Sequence, residues 1–278
     1  MSIPIGRKRE ISDLAEFIGS QYLTPSGVDL VSIVENNEIS LSFGRYADSF
    51  DGLLELKNGQ FHIYGNLDRL ISVDAARSRF TVGHELGHFF IDEHRRGLMK
   101  SGKVHGSLIE LQSDLIIENE ADLFSANLLM PAKEIQKCMK QKPIGLELCI
   151  EISNRFNASL LSSAVRVVDL TSQPCAIFKW FNQKLEWASL STELFAAGMR
   201  RNKNISEDLY PDAATRKVGR GISTGIEESI TTADYWFSCL KSYQNAQAIF
   251  KEQAISLGSY GVLSFLIPMD PIRNESSG

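Results

Sequence analysis

The residues best suited to chemistry form the pentapeptide His84-Glu85-Leu86-Gly87-His88. On an α-helix, residues four positions apart lie on one face, so both imidazoles can direct a ring nitrogen at the same metal ion. Imidazole is a common ligand of Zn²⁺, which takes about four ligands in proteins. Glu85 is placed to accept a proton from a water molecule at the metal and to pass it to a leaving amine. The spacing therefore predicts a zinc site on a helix, with Glu85 as the general base.

A catalytic zinc ion also needs a third protein ligand and one open position. His94 stands where the metzincin pattern HExxHxxGxxH has its third histidine, but Ile91 replaces the glycine that breaks the helix in that pattern. We therefore expect the helix to continue through Ile91 and to carry His94 away from the site. A position at the helix end or on the surface is expected for His94.

The second candidate lies in the segment Ile-Glu-Asn-Glu-Ala-Asp at 117–122. Glu118 and Asp122 are four residues apart and share a helix face. This is the ExxxD arrangement of thermolysin-like (gluzincin) peptidases, in which the glutamate binds zinc and the aspartate accepts the N–H of a ligating histidine, which fixes its tautomer. Glu120 lies about 200° around the helix from Glu118, and a register that used it would leave Asp122 without this role. We predict Glu118 as the third ligand and Asp122 as the residue that orients a histidine.

Hydrolysis at such a site further requires a donor for the oxyanion that forms. His105, Tyr46 and Tyr64 are equally available for this role, and the sequence does not choose between them.

Hydrophobic periodicity predicts the elements that must position these residues. A helix over 75–93 carries the pentapeptide, and a helix over 108–130 carries Glu118 and Asp122. A loop is expected over 95–106, between them. Strands are predicted before the first helix, at 39–43, 53–56, 61–64 and 69–73, with Asn58-Gly59 as a hairpin turn.

The C-terminal part has a different texture. Beyond Leu170 the sequence predicts a hairpin across Asn182-Gln183 and strands at 247–255 and 261–267. The predicted class is α+β, with a zincin-like catalytic domain at 1–170 in which a small sheet packs on the HExxH helix beside a helical bundle. Residues 171–278 are predicted to form a β-rich accessory domain.

Composition excludes several classes of protein. The net charge of −5 argues against binding of nucleic acid as the main activity. No apolar run reaches the roughly 18 residues that span a bilayer, and the N-terminus lacks the apolar core of a secretory signal. The cysteines are far apart and predict reduced, structural thiols. These features favour a cytoplasmic protein that contacts neither membrane nor nucleic acid.

The motifs together resemble the ImmA/IrrE family of metallo-endopeptidases over roughly residues 10–170. The resemblance lies in Arg79-Phe80-Thr81-Val82-Gly83 before the pentapeptide, in the stretch Glu118 to Ala126, and in Leu128-Leu129-Met130-Pro131. It implies a Zn²⁺-dependent hydrolase that acts on an intracellular protein, typically a helix-turn-helix repressor or an antitoxin. It also implies a role in stress response or toxin–antitoxin control. A zinc-containing regulator that binds a repressor without cleaving it is the alternative.

Overall fold

The computed structural model describes residues 3–70, 72–101, 105–106, 112–205, 213–239 and 247–272, and at residues 101, 105, 106, 112–114 and 239 it describes the backbone. The chain divides into two compact units: unit 1 comprises residues 1–134 and 153–159, and unit 2 comprises residues 135–152 and 160–278. Helices and sheets occur together, which confirms the predicted α+β class. The separation at residue 170 into a catalytic and an accessory domain stays a prediction.

Unit 1 holds the elements that carry the candidate site. Its helices are α1 (Ile5–Gln21), α2 (Leu30–Asn36), α3 (Ala76–Phe90), α4 (Asp92–Ser101) and α5 (Gln112–Leu129). Its strands are β1 (Leu23–Thr24), β2 (Gly27–Val28), β3 (Ser40–Gly44), β4 (Gly52–Lys57), β5 (Gln60–Asn66) and β6 (His105–Gly106). The helices α6 (Ala132–Gln141) and α7 (Leu146–Phe156) contribute residues to both units.

A four-stranded sheet with the order β3-β5-β4-β6 packs on α3, as predicted. The strand β3 runs parallel to β5, whereas β4 is antiparallel to both β5 and β6. Asn58 and Gly59 connect β4 to β5 with φ angles of 53° and 84°, the positive values that a tight Asn-Gly hairpin turn requires. Leu54 and Ile63 face each other across the two strands and are fully buried. Their burial fixes which face of the sheet covers α3.

The helix that carries the pentapeptide ends earlier than the sequence predicts. Ile91 follows the last residue of α3 in an extended conformation with ψ of 110°, and α4 begins at Asp92. The expectation that the helix continues through Ile91 is therefore wrong. Asp92 and Glu93 lie in the first turn of α4, where the helix dipole favours acidic side chains. The acidic pair at 92 and 93 indicates the start of a new helix, which the apolar residue at 91 made hard to recognise in the sequence.

The loop predicted over 95–106 is also wrong at residues 95–101, which belong to α4, and at residues 105–106, which form β6. Residues 102–104 of this prediction lie outside the described residues. Residues 108–111 of the predicted long helix lie outside the described residues, and from Gln112 the helix α5 is present as expected.

The described residues of the strand predicted over 69–73, namely 69, 70, 72 and 73, are not in a strand, and the chain turns at 69 and 70. The N–H groups of Arg69 and Leu70 donate to the carbonyl of Asn66 at 3.1 and 2.9 Å, which closes the turn directly after β5. Local apolar alternation suggested a strand here, but the backbone hydrogen bonds lead the chain into α3 instead. Ile71 lies outside the described residues.

The strands of unit 2 are β7 (Ala176–Phe181), β8 (Lys184–Leu190), β9 (Met199–Arg201), β10 (Glu227–Thr232), β11 (Phe237–Cys239), β12 (Ile249–Ser256) and β13 (Val262–Pro268). Five of them form an antiparallel sheet with the order β10-β12-β13-β7-β8, and β9 pairs with β11 in a separate sheet. The further helices of unit 2 are α8 (Leu160–Leu170), α9 (Thr192–Ala196), α10 (Ala214–Gly219) and α11 (Ala233–Trp236). The hairpin predicted across Asn182-Gln183 is present, and both residues have positive φ. The β-rich C-terminal region is therefore confirmed.

The core of unit 2 is rich in aromatic residues. Phe178, Trp180, Trp236, Phe237 and Phe250 are all at most 1% exposed and belong to one buried cluster. Large aromatic side chains bury much apolar surface, so this cluster supplies much of the stability of the unit.

In the described part of the chain, no helix is both long and apolar enough to cross a membrane. Three of the four cysteines, Cys138, Cys149 and Cys175, are buried free thiols, in agreement with the expectation for these residues. The side chain of Cys239 lies outside the described residues. Burial raises the pKa of Cys175 to about 12, so its thiol is protonated at neutral pH.

Candidate metal centre

Close packing of α3 against α5 brings together residues that are more than 30 positions apart. A Cβ at Gly83 would lie 2.5 Å from Ser125 Oγ, and a Cβ at Gly87 would lie 3.1 Å from Ala121 Cα. The two glycines are four residues apart, as are the small residues that face them, so the helices approach along one shared face. At Gly87 the neighbour is the backbone of α5. The result is that Glu118 and Asp122 face the pentapeptide.

Potential ligand atoms of three residues converge at this contact. His84 Nε2 lies 3.1 Å from His88 Nε2 and 3.1 Å from Glu118 Oε2, and His88 Nε2 lies 3.5 Å from Glu118 Oε1. Ligands about 2.0–2.1 Å from one tetrahedral zinc ion lie about 3.3 Å apart, so these separations fit a single ion. Among the described residues, His84, His88 and Glu118 are the histidines and acid that cluster closely enough to hold a metal ion. Nitrogen and carboxylate donors of this kind suit zinc.

Asp122 lies behind the first histidine, where a carboxylate can set its tautomer. His84 Nδ1 donates to Asp122 Oδ1 at 2.8 Å, so Nε2, which lies toward Glu118 and His88, is the nitrogen that would lose its proton to a metal ion. Burial lowers the pKa of His84, but the hydrogen bonds to Asp122 and Glu118 outweigh it and raise the pKa to about 10. The surrounding carboxylates therefore favour a positive charge at this point.

Glu85 is fully buried and lies beside the first histidine rather than in the group of potential ligands. Its negative charge is one of the causes that raise the pKa of His84. A buried carboxylate that lies beside a potential metal site without being one of its ligands is suited to act as a general base, which accepts and then donates a proton.

His94 lies in the core, so the expectation of a position on the surface is wrong. Its side chain is 3% exposed, and its ring centroid lies 5.2 Å from that of His88. His94 Nε2 is 3.1 Å from Glu120 Oε2, and Arg7 donates through Nε and Nη2 to the two oxygens of the same carboxylate at 3.1 and 3.0 Å. The break at Ile91 turns the chain back and places His94 against Glu120.

Sequence reasoning missed this chain of side chains because its members are far apart. Arg7 and Glu120 are separated by 113 positions, and no local pattern joins them. Two glutamates of α5 therefore have different partners. Glu118 faces the two histidines of the pentapeptide, whereas Glu120 faces α1 and α4.

The three candidates for oxyanion stabilisation have different surroundings. The hydroxyl of Tyr64 donates to Glu55 Oε2 at 3.2 Å, and the ring of Tyr46 packs 5.0 Å from Phe50. His105 pairs with Leu54 through the backbone, and its side chain lies outside the described residues. The choice among Tyr46, Tyr64 and His105 stays open.

Comparison with known structures shows the fold. A chain titled "Mycobacterium tuberculosis transcriptional regulator" is similar with a TM-score of 0.62 and 10% sequence identity, over 95% of this chain and 78% of that one. No curated protein was found to match.

Comparison with family models identifies the type of domain as well as the fold. The model described as "IrrE N-terminal-like domain", Peptidase_M78, matches residues 71–167, a range that contains the pentapeptide, Glu118 and Asp122. Residues 71–167 therefore carry a metallopeptidase-like domain of the IrrE N-terminal-like type, the family that the motifs of the sequence resemble.

Proposed function

We propose that this chain is a zinc-dependent endopeptidase that hydrolyses a peptide bond in an intracellular regulatory protein. The observation that carries the proposal is the convergence of His84, His88 and Glu118 within ligand distance of one another, with the buried Glu85 carboxylate next to them. In this proposal the three residues bind the metal, Asp122 orients His84, and Glu85 is the catalytic base.

In the proposed reaction the metal ion, Glu85 and Asp122 have separate roles. When bound, zinc lowers the pKa of a water molecule toward about 7 and polarises a carbonyl group. Glu85 accepts the proton of the attacking water on a carboxylate oxygen and donates it to the nitrogen of the departing amine. Asp122 holds the N–H of His84 at Nδ1, so Nε2 is the nitrogen that would bind the metal ion.

The substrate class follows from the family rather than from the geometry. A metallopeptidase-like domain acts on proteins, and the resemblance to the ImmA/IrrE family suggests a helix-turn-helix repressor or an antitoxin. That substrate would place the reaction in the cytoplasm. A part in stress response or toxin–antitoxin control would follow from the identity of the repressor.

A second candidate is a zinc-containing regulator that binds a repressor without cleaving it. The observation in its favour is the similar solved structure, whose title names a transcriptional regulator. Both candidates require the same metal ligands, so zinc content does not separate them. The fate of the partner does.

The test compares the wild type with Glu85→Gln. The purified, zinc-loaded chain is incubated with the helix-turn-helix proteins encoded beside its gene, and intact mass spectrometry follows the products. We expect two fragments whose masses sum to the substrate plus one water. Glu85→Gln should bind zinc in equal amount, by elemental analysis, and cleave at least about 100-fold more slowly, the usual range for loss of a general base.

Glu35→Gln is the matched control, because it removes the same charge from the exposed surface of α2 and should cleave at the wild-type rate. Cleavage by Glu85→Gln at the wild-type rate would overturn the peptidase proposal. An intact partner that forms a stable, zinc-dependent complex with the wild type would favour the regulator.

A further inference from the structure

Gly52, the first residue of β4, lies directly against the proposed catalytic base. A Cβ built on Gly52 would lie 2.7 Å from Glu85 Oε1 and 3.2 Å from Glu85 Cγ. It would also lie 2.4 Å from Thr81 Cγ2, one helical turn before Glu85 on the same face of α3. Any side chain at residue 52 would therefore enter the space that Glu85 and Thr81 fill.

The backbone conformation does not explain this glycine. Gly52 is in a regular strand, paired with Gly65 of β5, and its φ lies outside the left-handed region that favours glycine. An alanine could adopt the same backbone angles. What excludes a side chain is the close approach of the strand to the carboxylate of Glu85.

Hydrogen bonds of the preceding residue hold Gly52 in this place. The carboxylate of Asp51 accepts from Arg69 Nε and, at 2.7 Å, from Nη2 of Arg77 in the first turn of α3. The backbone carbonyl of Asp51 accepts from the N–H of Asn66 at 3.0 Å. The start of β4 is thus tied to both β5 and α3, and it cannot easily move away from Glu85.

We propose that Gly52 is a positioning residue of the site, whose missing side chain allows β4 to hold the Glu85 carboxylate in its working position. The inference rests on the proposed function for its catalytic meaning, but the placement of Glu85 is tested without it. Glu85 is fully buried, so an added methyl group at residue 52 must displace its carboxylate, shift Thr81 or push the strand outward.

The experiment separates these responses with four variants: Gly52→Ala, Thr81→Ser, the double variant of both, and Gly65→Ala. Thr81→Ser removes the methyl group that the new Cβ would meet first, so the remaining close contact in the double variant is with Glu85. Gly65→Ala is the matched control in the same sheet, because its Cβ would meet the ring of Phe43 instead. Crystal structures, zinc content, thermal unfolding and the steady-state kinetics of substrate cleavage are measured for each.

In the double variant we expect the Glu85 carboxylate to move by about 1 Å or more while His84, His88 and Glu118 superpose on the wild type and zinc content is unchanged. Since a displacement of this size can cost about 100-fold in rate, kcat should fall by that order with little change in KM. Thr81→Ser and Gly65→Ala should retain kcat within about threefold, whatever their effect on the unfolding temperature.

Two results would overturn the inference. One is a double variant in which Glu85 stays in place, and the other is full recovery of kcat when Thr81→Ser is added to Gly52→Ala. If the wild type cleaves none of the helix-turn-helix proteins, the proposed function fails by itself. The crystal structures still decide whether Gly52 positions Glu85.

Discussion

The candidate centre depends on single positions along α5 whose side chains point in different directions. Glu118 faces His84 and His88, and Asp122, one turn later, accepts the N–H of His84. Glu120, between them, binds Arg7 and His94 instead. The side chain of Asp122 is 53% exposed, so water screens its charge, and its effect is expected mainly through orientation of His84.

The two candidates for the third ligand can be separated by substitution. Glu118→Ala should lose most of its bound zinc, because only two of the converging ligands remain. His94→Ala should keep zinc at the wild-type stoichiometry but lose stability, on the order of 1–3 kcal/mol, because the buried carboxylate of Glu120 loses a hydrogen-bond partner. Elemental analysis and chemical denaturation measure both effects. Loss of zinc from His94→Ala with retention by Glu118→Ala would reverse the assignment.

At the scale of elements, helix ends and close helix approaches decide where the functional residues lie. The end of α3 at Phe90 and the start of α4 at Asp92 turn the chain so that His94 is buried. Gly83 and Gly87 allow α5 to approach α3 closely. In unit 1, Asp29 fixes another helix end, since its Oδ1 accepts from the N–H groups of Val31 and Ser32 at the start of α2.

The cap of α2 provides a prediction about stability and pH. The hydroxyl and the N–H of Ser32 lower the pKa of Asp29 below 3.8 in the folded chain. Its ionised form therefore stabilises the fold at pH values above about 4, and this contribution is lost as the pH falls through the lowered folded-state pKa. Asp29→Ala should cost about 1 kcal/mol at neutral pH, the usual value for loss of an N-cap.

Asp29→Asn is the matched control, because asparagine keeps an oxygen that can cap the helix but does not ionise. Urea unfolding of all three proteins at neutral pH and at pH 3 measures the effect. Asp29→Asn should be close to the wild type at neutral pH, and the difference between wild type and Asp29→Ala should shrink in acid. An unchanged difference at pH 3 would contradict the role of the ionised carboxylate.

At the scale of the whole molecule, the chain contains two compact units, and each has its own sheet. The candidate metal centre lies in unit 1, and the aromatic cluster lies in unit 2. We propose that residues 1–170 act as the catalytic domain and residues 171–278 as an accessory domain. The family match to residues 71–167 supports the catalytic role of the first part.

Removal of one ring from the aromatic cluster tests whether the candidate metal centre depends on the packing of unit 2. Phe250 is fully buried and packs 5.3 Å from the ring of Phe237. Phe250→Ala should lower the stability of unit 2 by about 3–5 kcal/mol through the cavity it leaves, while bound zinc stays at the wild-type level. Calorimetry and elemental analysis measure the two quantities. Its neighbour Ile249 is 40% exposed, so Ile249→Ala is the control and should have little effect. Simultaneous loss of zinc would show that the metal centre depends on unit 2.

The sequence alone determined those features that depend on the geometry of one element. Helix periodicity placed His84 with His88, and Glu118 with Asp122, because residues four apart share a face whatever the helix packs against. The Asn58-Gly59 turn was equally predictable, because a tight hairpin requires positive φ and these residues adopt it readily.

Only the tertiary structure decided the relations between elements. His94 packs against Glu120, 26 positions away, and Gly52 approaches Glu85, 33 positions away. The break after Phe90 lies where two helix signals compete. Such contacts arise because each helix and sheet must bury its apolar face against another, and no local pattern encodes which side chains then meet. The helix faces that carry the proposed ligands could be predicted from periodicity, whereas the residues that surround the proposed base could not.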